Sequence, residues 1–432
     1  MSDAWTRRKL TLYAATLVVL GAVFLRVDTL GARPLWADER AVDSFVSEAE
    51  RDGLGAAAAP RASGQLTEAH LAPLHVMLAY ASAQALGRSS IALRLPSVLA
   101  SVATVLLVIA LGTTLFDHRV GLVAGALVAI SPYQIEYAQN ARSYALFVAL
   151  ASAQLLAWFR FAATHHMGWL VAFTLTGAAS AYAHHLGLLN QAAFGVLALA
   201  NAAGDRLATR SPASHRALGR RELLLLAGAF TAMGLLYLPQ LGSFLGFLDS
   251  GVAEPLVRLA PSARFAHALA GLWGGGRGAP ALLYEALFLI GIVAGIRAQR
   301  PAPALVWWIA CPILVFSLVP FSKFFDARYL MAAQPAFLLL VAAGAVAVVD
   351  VLRARRVALV ATAALAIAFA WPAAGGYLEF RKLPLRCGEF FLEPRILDLA
   401  GGFCRRYVVL NTLVPEERYL LRAVAPDFAR SR

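Results

Sequence analysis

The apolar residues of this chain come in long unbroken blocks, and that pattern constrains its fold more than any other feature. The blocks run at 10–26, 94–116, 119–133, 143–162, 169–184, 186–203, 222–244, 281–297, 303–320, 328–350 and 357–374. A bilayer core takes ~20 apolar residues of helix to cross. Lipid offers the backbone no hydrogen-bond partners, so only helices or closed barrels span it. Barrel strands would alternate apolar and polar residues, and these blocks do not. The expected class is therefore an all-α polytopic membrane protein. Composition agrees, with 60% apolar and 15% charged residues, against about a quarter charged in soluble domains.

A weaker block, 71–87, contains His75 and Gln84, and whether it crosses decides the topology. Arg7, Arg8 and Lys9 place the N-terminus in the cytoplasm by the positive-inside rule. The run from Leu10 has no small-residue cleavage site after Arg26, so it reads as an uncleaved anchor. If 71–87 stays on the surface, the basic loops at Asp117–Arg119, 160–166, 204–221, 297–300 and 353–356 all fall inside. If it crosses, all fall outside. The expectation is 11 spans, with 71–87 a juxtamembrane helix on the outer leaflet. Residues 1–374 then form one transmembrane domain, with outer loops 27–93 and 134–142, and 375–432 form a short periplasmic tail. The expected location is a bacterial inner membrane.

The formal charge of +13 would suggest nucleic acid for a soluble chain. Here the short basic clusters between apolar blocks serve orientation, so no nucleic-acid partner is expected. The three cysteines, Cys311, Cys387 and Cys404, show no zinc spacing. Cys387 and Cys404 either pair in an oxidising periplasm or stay as thiols. The GGGRG run at 274–278 follows no strand and reads as a loop. Tyr407–Leu410 reads as a strand in the tail.

On this topology, acids and cations from far-apart segments gather at the outer helix ends. Asp38 and Glu39 follow the first span, and a carboxylate there beside Trp36 is placed to take a proton from an attacking hydroxyl. The plainer reading is a pair of helix-starting acids. Arg142 leaves a Tyr-rich turn that holds Glu136, Tyr137, Gln139 and Tyr144. Its guanidinium suits a phosphate through paired charge-assisted hydrogen bonds, and the plainer reading is an interfacial anchor. Lys323 and Arg328, with Tyr329, repeat that cationic character, although Asp326 offers Arg328 a surface ion pair. His184, His185 and His75 suit sugar contacts better than metal, because no third ligand is evident.

Taken in order, several stretches resemble the C-type membrane glycosyltransferases. The likeness is to the bacterial protein O-mannosyltransferase-like and aminoarabinose- or galacturonic-acid-transferase-like group. The stretches are Leu35-Trp36-Ala37-Asp38-Glu39, Ala72-Pro73-Leu74-His75, Leu93-Arg94-Leu95-Pro96-Ser97, Ser131-Pro132 with Tyr137 to Tyr144, and Arg328-Tyr329-Leu330 with Pro335. The resemblance implies a C-type glycosyltransferase fold with juxtamembrane helices in the first outer loop. It implies that Asp38, with Glu39 beside it, is catalytic, and that Arg142, Arg328 and Lys323 bind the phosphate of a polyprenyl-phosphate sugar. It also implies direct displacement with inversion at the sugar carbon. The remaining contacts to substrate are expected from His75, Glu136, Tyr137, Gln139, His184, His185 and Tyr329.

Many members of that group carry Glu where this chain has Asn140; either Glu136, four positions earlier, supplies that acid or it is dispensable, so a divalent cation stays open but is not favoured, and no cofactor is firmly expected beyond the donor. The expected partners are membrane lipid, the polyprenyl-phosphate sugar and a glycan, lipid or protein acceptor. Two other classes remain open. A lipid-linked sugar transporter or flippase should place polar groups at the bilayer midplane. An envelope assembly protein would keep the architecture without the chemistry.

Overall fold

The structure, a computed structural model, describes residues 2–33, 35, 37–58, 73–202, 218–250, 259, 261–276, 278–319, 327–353 and 357–387. The described part is helical throughout. The first span is α1 (Ser2–Val27), followed by α2 (Ala37–Asp52), the short α3 (Leu54–Ala58) and α4 (Pro73–Leu86). Next come α5 (Ser90–Leu115), α6 (His118–Ile130), α7 (Pro132–Ala138), α8 (Tyr144–Thr164), α9 (Met167–Ala183), α10 (Gly187–Ala202) and α11 (Arg220–Tyr237). Then follow α12 (Leu241–Ser250), α13 (Ala263–Gly274), α14 (Ala279–Arg297), α15 (Ala302–Leu318), a 3-10 turn (Ala327–Ala333), α16 (Gln334–Arg353) and α17 (Ala358–Cys387).

Among the described residues, seven helices are long and apolar enough to cross a membrane, or eight if the bent α6–α7 pair counts as one. Two shorter apolar helices lie at Gly187–Ala200 and Ala302–Leu318, and α9 adds 17 residues. Each block expected from the sequence holds one of these helices. The 61° break between α6 and α7 has a local cause. Ser131 leaves the helix in extended backbone and caps α7 by accepting from the Gln134 N–H, while Pro132 supplies a first helical residue that needs no N–H partner. The α14–α16 crossing depends on small residues. A Cβ on Gly291 would lie 1.9 Å from the Leu340 carbonyl, and one on Gly344 equally close to that of Leu287, so only glycine permits this approach.

The α4 helix has 14 residues and is about 21 Å long at 1.5 Å per residue, short of the ~30 Å hydrocarbon core. It lies along α2, whose charges suit water. Val42, Phe45, Val46 and Ala49 of α2 bury against Val76, Ala79 and Ala83 of α4. Gln84 donates to Glu50 at 3.2 Å, and Arg88 lies 3.5 Å from Asp43. The two helices form a small cap on one end of the bundle.

The bundle has two chemically different ends. At the end opposite the cap, Asp117 caps α6 and Arg119 holds Asp350 at 2.6 Å. Arg353 lies 3.6 Å from Asp350, and His165 lies 3.6 Å from Glu222. Among the described residues, charged groups from several of the basic loops are thus found at that end.

The helix α17 continues to Cys387, so the expected boundary at 374 falls inside a helix. The apolar part ends at Leu378, and the rest reaches the cap end, where Tyr377 donates to Asp28 and Arg381 lies 3.1 Å from the same carboxylate. Cys404 and Tyr407–Leu410 lie outside the described residues.

Candidate functional site

At the cap end, Asp38 and Glu39 occupy the first turn of α2, where the helix dipole favours carboxylates. The two neighbours have different fates because successive helical residues point about 100° apart. Glu39 turns inward and is 1% exposed, as is Arg94 of α5. Their fork is bidentate, with Arg94 Nε donating to Oε1 at 2.8 Å and Nη2 to Oε2 at 2.7 Å. Oε1 also accepts the Ala141 N–H at 2.7 Å. Arg94 Nη1 donates to the Leu30 and Arg33 carbonyls. One buried ion pair therefore ties together the end of α1, the start of α2, α5 and the α7–α8 turn.

Asp38 turns the other way. Its Oδ2 lies 3.6 Å from Arg328 Nη1 and 4.0 Å from Arg142 Nη2, and Arg142 Nη1 also donates to the Asp38 carbonyl at 3.4 Å. The carboxylate is 35% exposed, while the arginines are 14% and 15% exposed. The acid is thus reachable, with two recessed cations behind it. Arg142 is positioned by Ser97, whose hydroxyl donates to the Arg142 carbonyl at 3.1 Å. Arg328 is carried by the 3-10 turn before α16, and its Cζ lies 5.4 Å from the Tyr144 ring centre.

Tyr144 belongs to a ladder of rings. Tyr133, Tyr137 and Tyr144 meet edge to face at 5.0 and 5.4 Å, and His184 lies 5.2 Å beyond Tyr144. Tyr137 is buried in this ladder. His184 Nδ1 accepts the Leu186 N–H at 3.2 Å. Burial, then the neighbouring His185, Arg142 and Arg328, push its pKa down to about 3. His185 turns away, with Nδ1 2.7 Å from the Tyr237 hydroxyl. His75 is buried at the first turn of α4; burial and the Arg142 charge hold its pKa down to about 4, partly offset by the Ala141 backbone.

The other expected residues are more dispersed. Gln139 is buried, and its side chain donates to the Leu25 and Asp28 carbonyls, so it splices the α7–α8 turn to the end of α1. Glu136 is half-buried on α7. Tyr329 stacks on Phe316 at 5.8 Å and lines a small cleft with Phe147, Leu186, Asn190, Trp308 and Pro312. Lys323 and Asp326 lie outside the described residues.

Two arginines carry more of the architecture than sequence reasoning gave them. Arg94 is the partner of Glu39. Arg26, fully buried, donates to Ser101 Oγ at 2.7 Å and to the Val128 and Ala129 carbonyls at the end of α6. The available signal was an arginine set into the edge of an apolar block, where an ion is costly unless a partner waits for it. Among the described residues no group of three or more His, Cys, Asp or Glu is arranged to hold a metal ion.

Comparison with known proteins adds to this geometry. The profile of the dolichyl-phosphate-mannose-protein mannosyltransferase family matches residues 70–219, the stretch that carries His75, Arg94, Arg142 and His184. Among curated proteins, none matches the sequence. ArnT from Cupriavidus metallidurans in the apo state superposes with a TM-score of 0.59 at 17% identity, over 96% of this chain and 73% of that one. The same protein bound to undecaprenyl phosphate gives 0.60 at 16% identity, over 96% and 75%. The oligosaccharyltransferase of Archaeoglobus fulgidus gives 0.60 at 14% identity, over 87% of this chain and 56% of that one.

Proposed function

We propose that this multi-pass membrane chain, which has the fold of the C-type membrane glycosyltransferases, moves a sugar from a polyprenyl-phosphate donor to a hydroxyl acceptor. The observation that carries the proposal is the reachable Asp38 carboxylate backed by Arg142 and Arg328. In this reading the acceptor oxygen attacks the sugar's anomeric carbon while Asp38 takes its proton. The bond from that carbon to the phosphate oxygen breaks, configuration inverts, and the polyprenyl phosphate departs. Arg142 and Arg328 stabilise the charge that builds on the phosphate. Fixed cations do this best, because they need no reorganisation as the charge develops.

Glu39 is a positioning residue in this scheme. Its two oxygens are committed to Arg94 and the Ala141 N–H, which fixes the Asp38 turn against the Arg142 turn. We also take the displacement to be metal-independent. Divalent ions seek several oxygen ligands, while here the second carboxylate is engaged and the first faces two guanidiniums.

The face is proposed to be periplasmic, in a bacterial inner membrane. Support comes from the charged groups at the opposite end, Arg119 and Arg353 with their partner Asp350, the two arginines falling in the short basic loops. A reporter fused at position 140 should be exposed outside the cytoplasm. The experiment for function is mass analysis of envelope glycans, lipids and glycoproteins in a deletion strain, complemented with wild type and with Asp38→Asn. Wild type should restore a glycoform that Asp38→Asn does not. A deletion that changes nothing restorable would remove the reading's main support.

A further inference from the structure

Of the residues around Asp38, His184 has its chemistry most narrowly set by its surroundings. It terminates α9, where its own N–H bonds the Ser180 carbonyl at 3.0 Å. Its ring packs on Tyr144 and on Phe147, at 5.2 and 5.7 Å between centres. Arg328 approaches the same Tyr144 ring. Nδ1 accepts the Leu186 N–H, so its lone pair is occupied there and the proton of the neutral ring resides on Nε2. An imidazolium would need a proton on Nδ1 and would break that bond. The residue is half-buried, and Arg142 and Arg328 are near enough to act on its charge.

We infer that His184 is a fixed-tautomer hydrogen-bond donor, whose Nε2–H contacts an oxygen of the donor lipid's phosphate, alongside Arg142 and Arg328. This rests on the proposed phosphate site and deepens it. His184 would not act as an acid or base. Burial first, then His185 and the two arginines, hold its pKa down to about 3, so it meets the phosphate as a neutral ring. A neutral donor adds directional selectivity to the charge that the two arginines supply.

The test uses the two amides that each imitate one ring nitrogen. In His184→Asn the side-chain oxygen can replace Nδ1 and keep the Leu186 bond, but the reach of Nε2 is lost. In His184→Gln the amide reaches the Nε2 position and the Nδ1 bond is lost. Full-length protein in nanodiscs is titrated with undecaprenyl phosphate carrying no sugar, with melting temperature recorded for each variant. His184→Asn should weaken binding roughly tenfold, the scale of a hydrogen bond to a charged group, with melting unchanged. His184→Gln should bind within about threefold of wild type, and its melting temperature should fall.

Wild-type affinity in His184→Asn, or equal losses in both variants, would overturn the inference and leave the histidine a structural role. Arg328→Ala separates the two levels. If it loses binding while His184→Asn does not, only the histidine contact fails. If it too binds like wild type, the phosphate site itself is wrong.

Discussion

The two ends of this bundle both carry arginines and aspartates, yet they use them differently. At the end away from the cap, Arg119, Asp117, Asp350 and Arg353 pair across neighbouring helix ends with side chains 35% to 60% exposed. At the cap end, Glu39 and Arg94 are sealed from solvent, and Asp38 meets cations from residues 104 and 290 positions further along the chain. Exposed pairs are screened and contribute little. A buried pair is strongly constraining, because removing one partner strands the other's charge. The cap end therefore holds a defined geometry, and the opposite end carries solvated, weakly coupled surface charge.

The sharpest way to break that contrast is to remove both cations behind Asp38. Arg142→Ala with Arg328→Ala should weaken donor binding at least a hundredfold, since each charge-assisted contact contributes roughly 1.5–3 kcal/mol; titration with undecaprenyl phosphate measures it. Next in size is Glu39→Ala, which leaves Arg94 buried without its carboxylate. Thermal or denaturant unfolding should show a loss of about 3–5 kcal/mol.

A smaller effect concerns acid. Folding lowers the His75 pKa from 6.5 to about 4. Between those values the unfolded chain binds a proton that the folded chain refuses. Stability is therefore intact above pH 6.5, falls as pH drops through that window, and levels off below about 4. Melting curves should show this acid slope in wild type and a shallower one in His75→Leu. The smallest effect is expected at the opposite end, where Asp350→Ala should change stability by less than about 1 kcal/mol. A loss there equal to that of Glu39→Ala would erase the distinction between the two ends.

Much of this was legible in the sequence, for identifiable reasons. The spans were readable because lipid forces every backbone group to be satisfied within the segment. A surface α4 was expected from the sign of the loops; its 14 residues and its packing on charged α2 fit that expectation and explain the weak apolar signal. Asp38, Arg142 and Arg328 were readable as a set of opposite charges at helix ends on one side. The division of labour between Asp38 and Glu39 was not, because it depends on which face of α2's first turn meets Arg94. Gln139 and Tyr137 read as contacts to substrate, while their structural partners, the end of α1 for Gln139 and a ring ladder for Tyr137, were not legible. Such roles are set by partners more than 100 residues away in some cases, as for Gln139 with Leu25 and Asp28, and no local pattern announces them.

The central claim is that Asp38 acts on the acceptor while the arginines hold the donor. It is tested most directly by measuring both steps on one variant, Asp38→Asn, in nanodiscs loaded with polyprenyl-phosphate sugar. Single-turnover transfer should fall by about 10²–10⁴, the usual contribution of a positioned general base. Affinity for the donor should hold or rise, since a competing carboxylate has left the two guanidiniums. Transfer at the wild-type rate, or loss of donor binding in step with loss of transfer, would contradict the account.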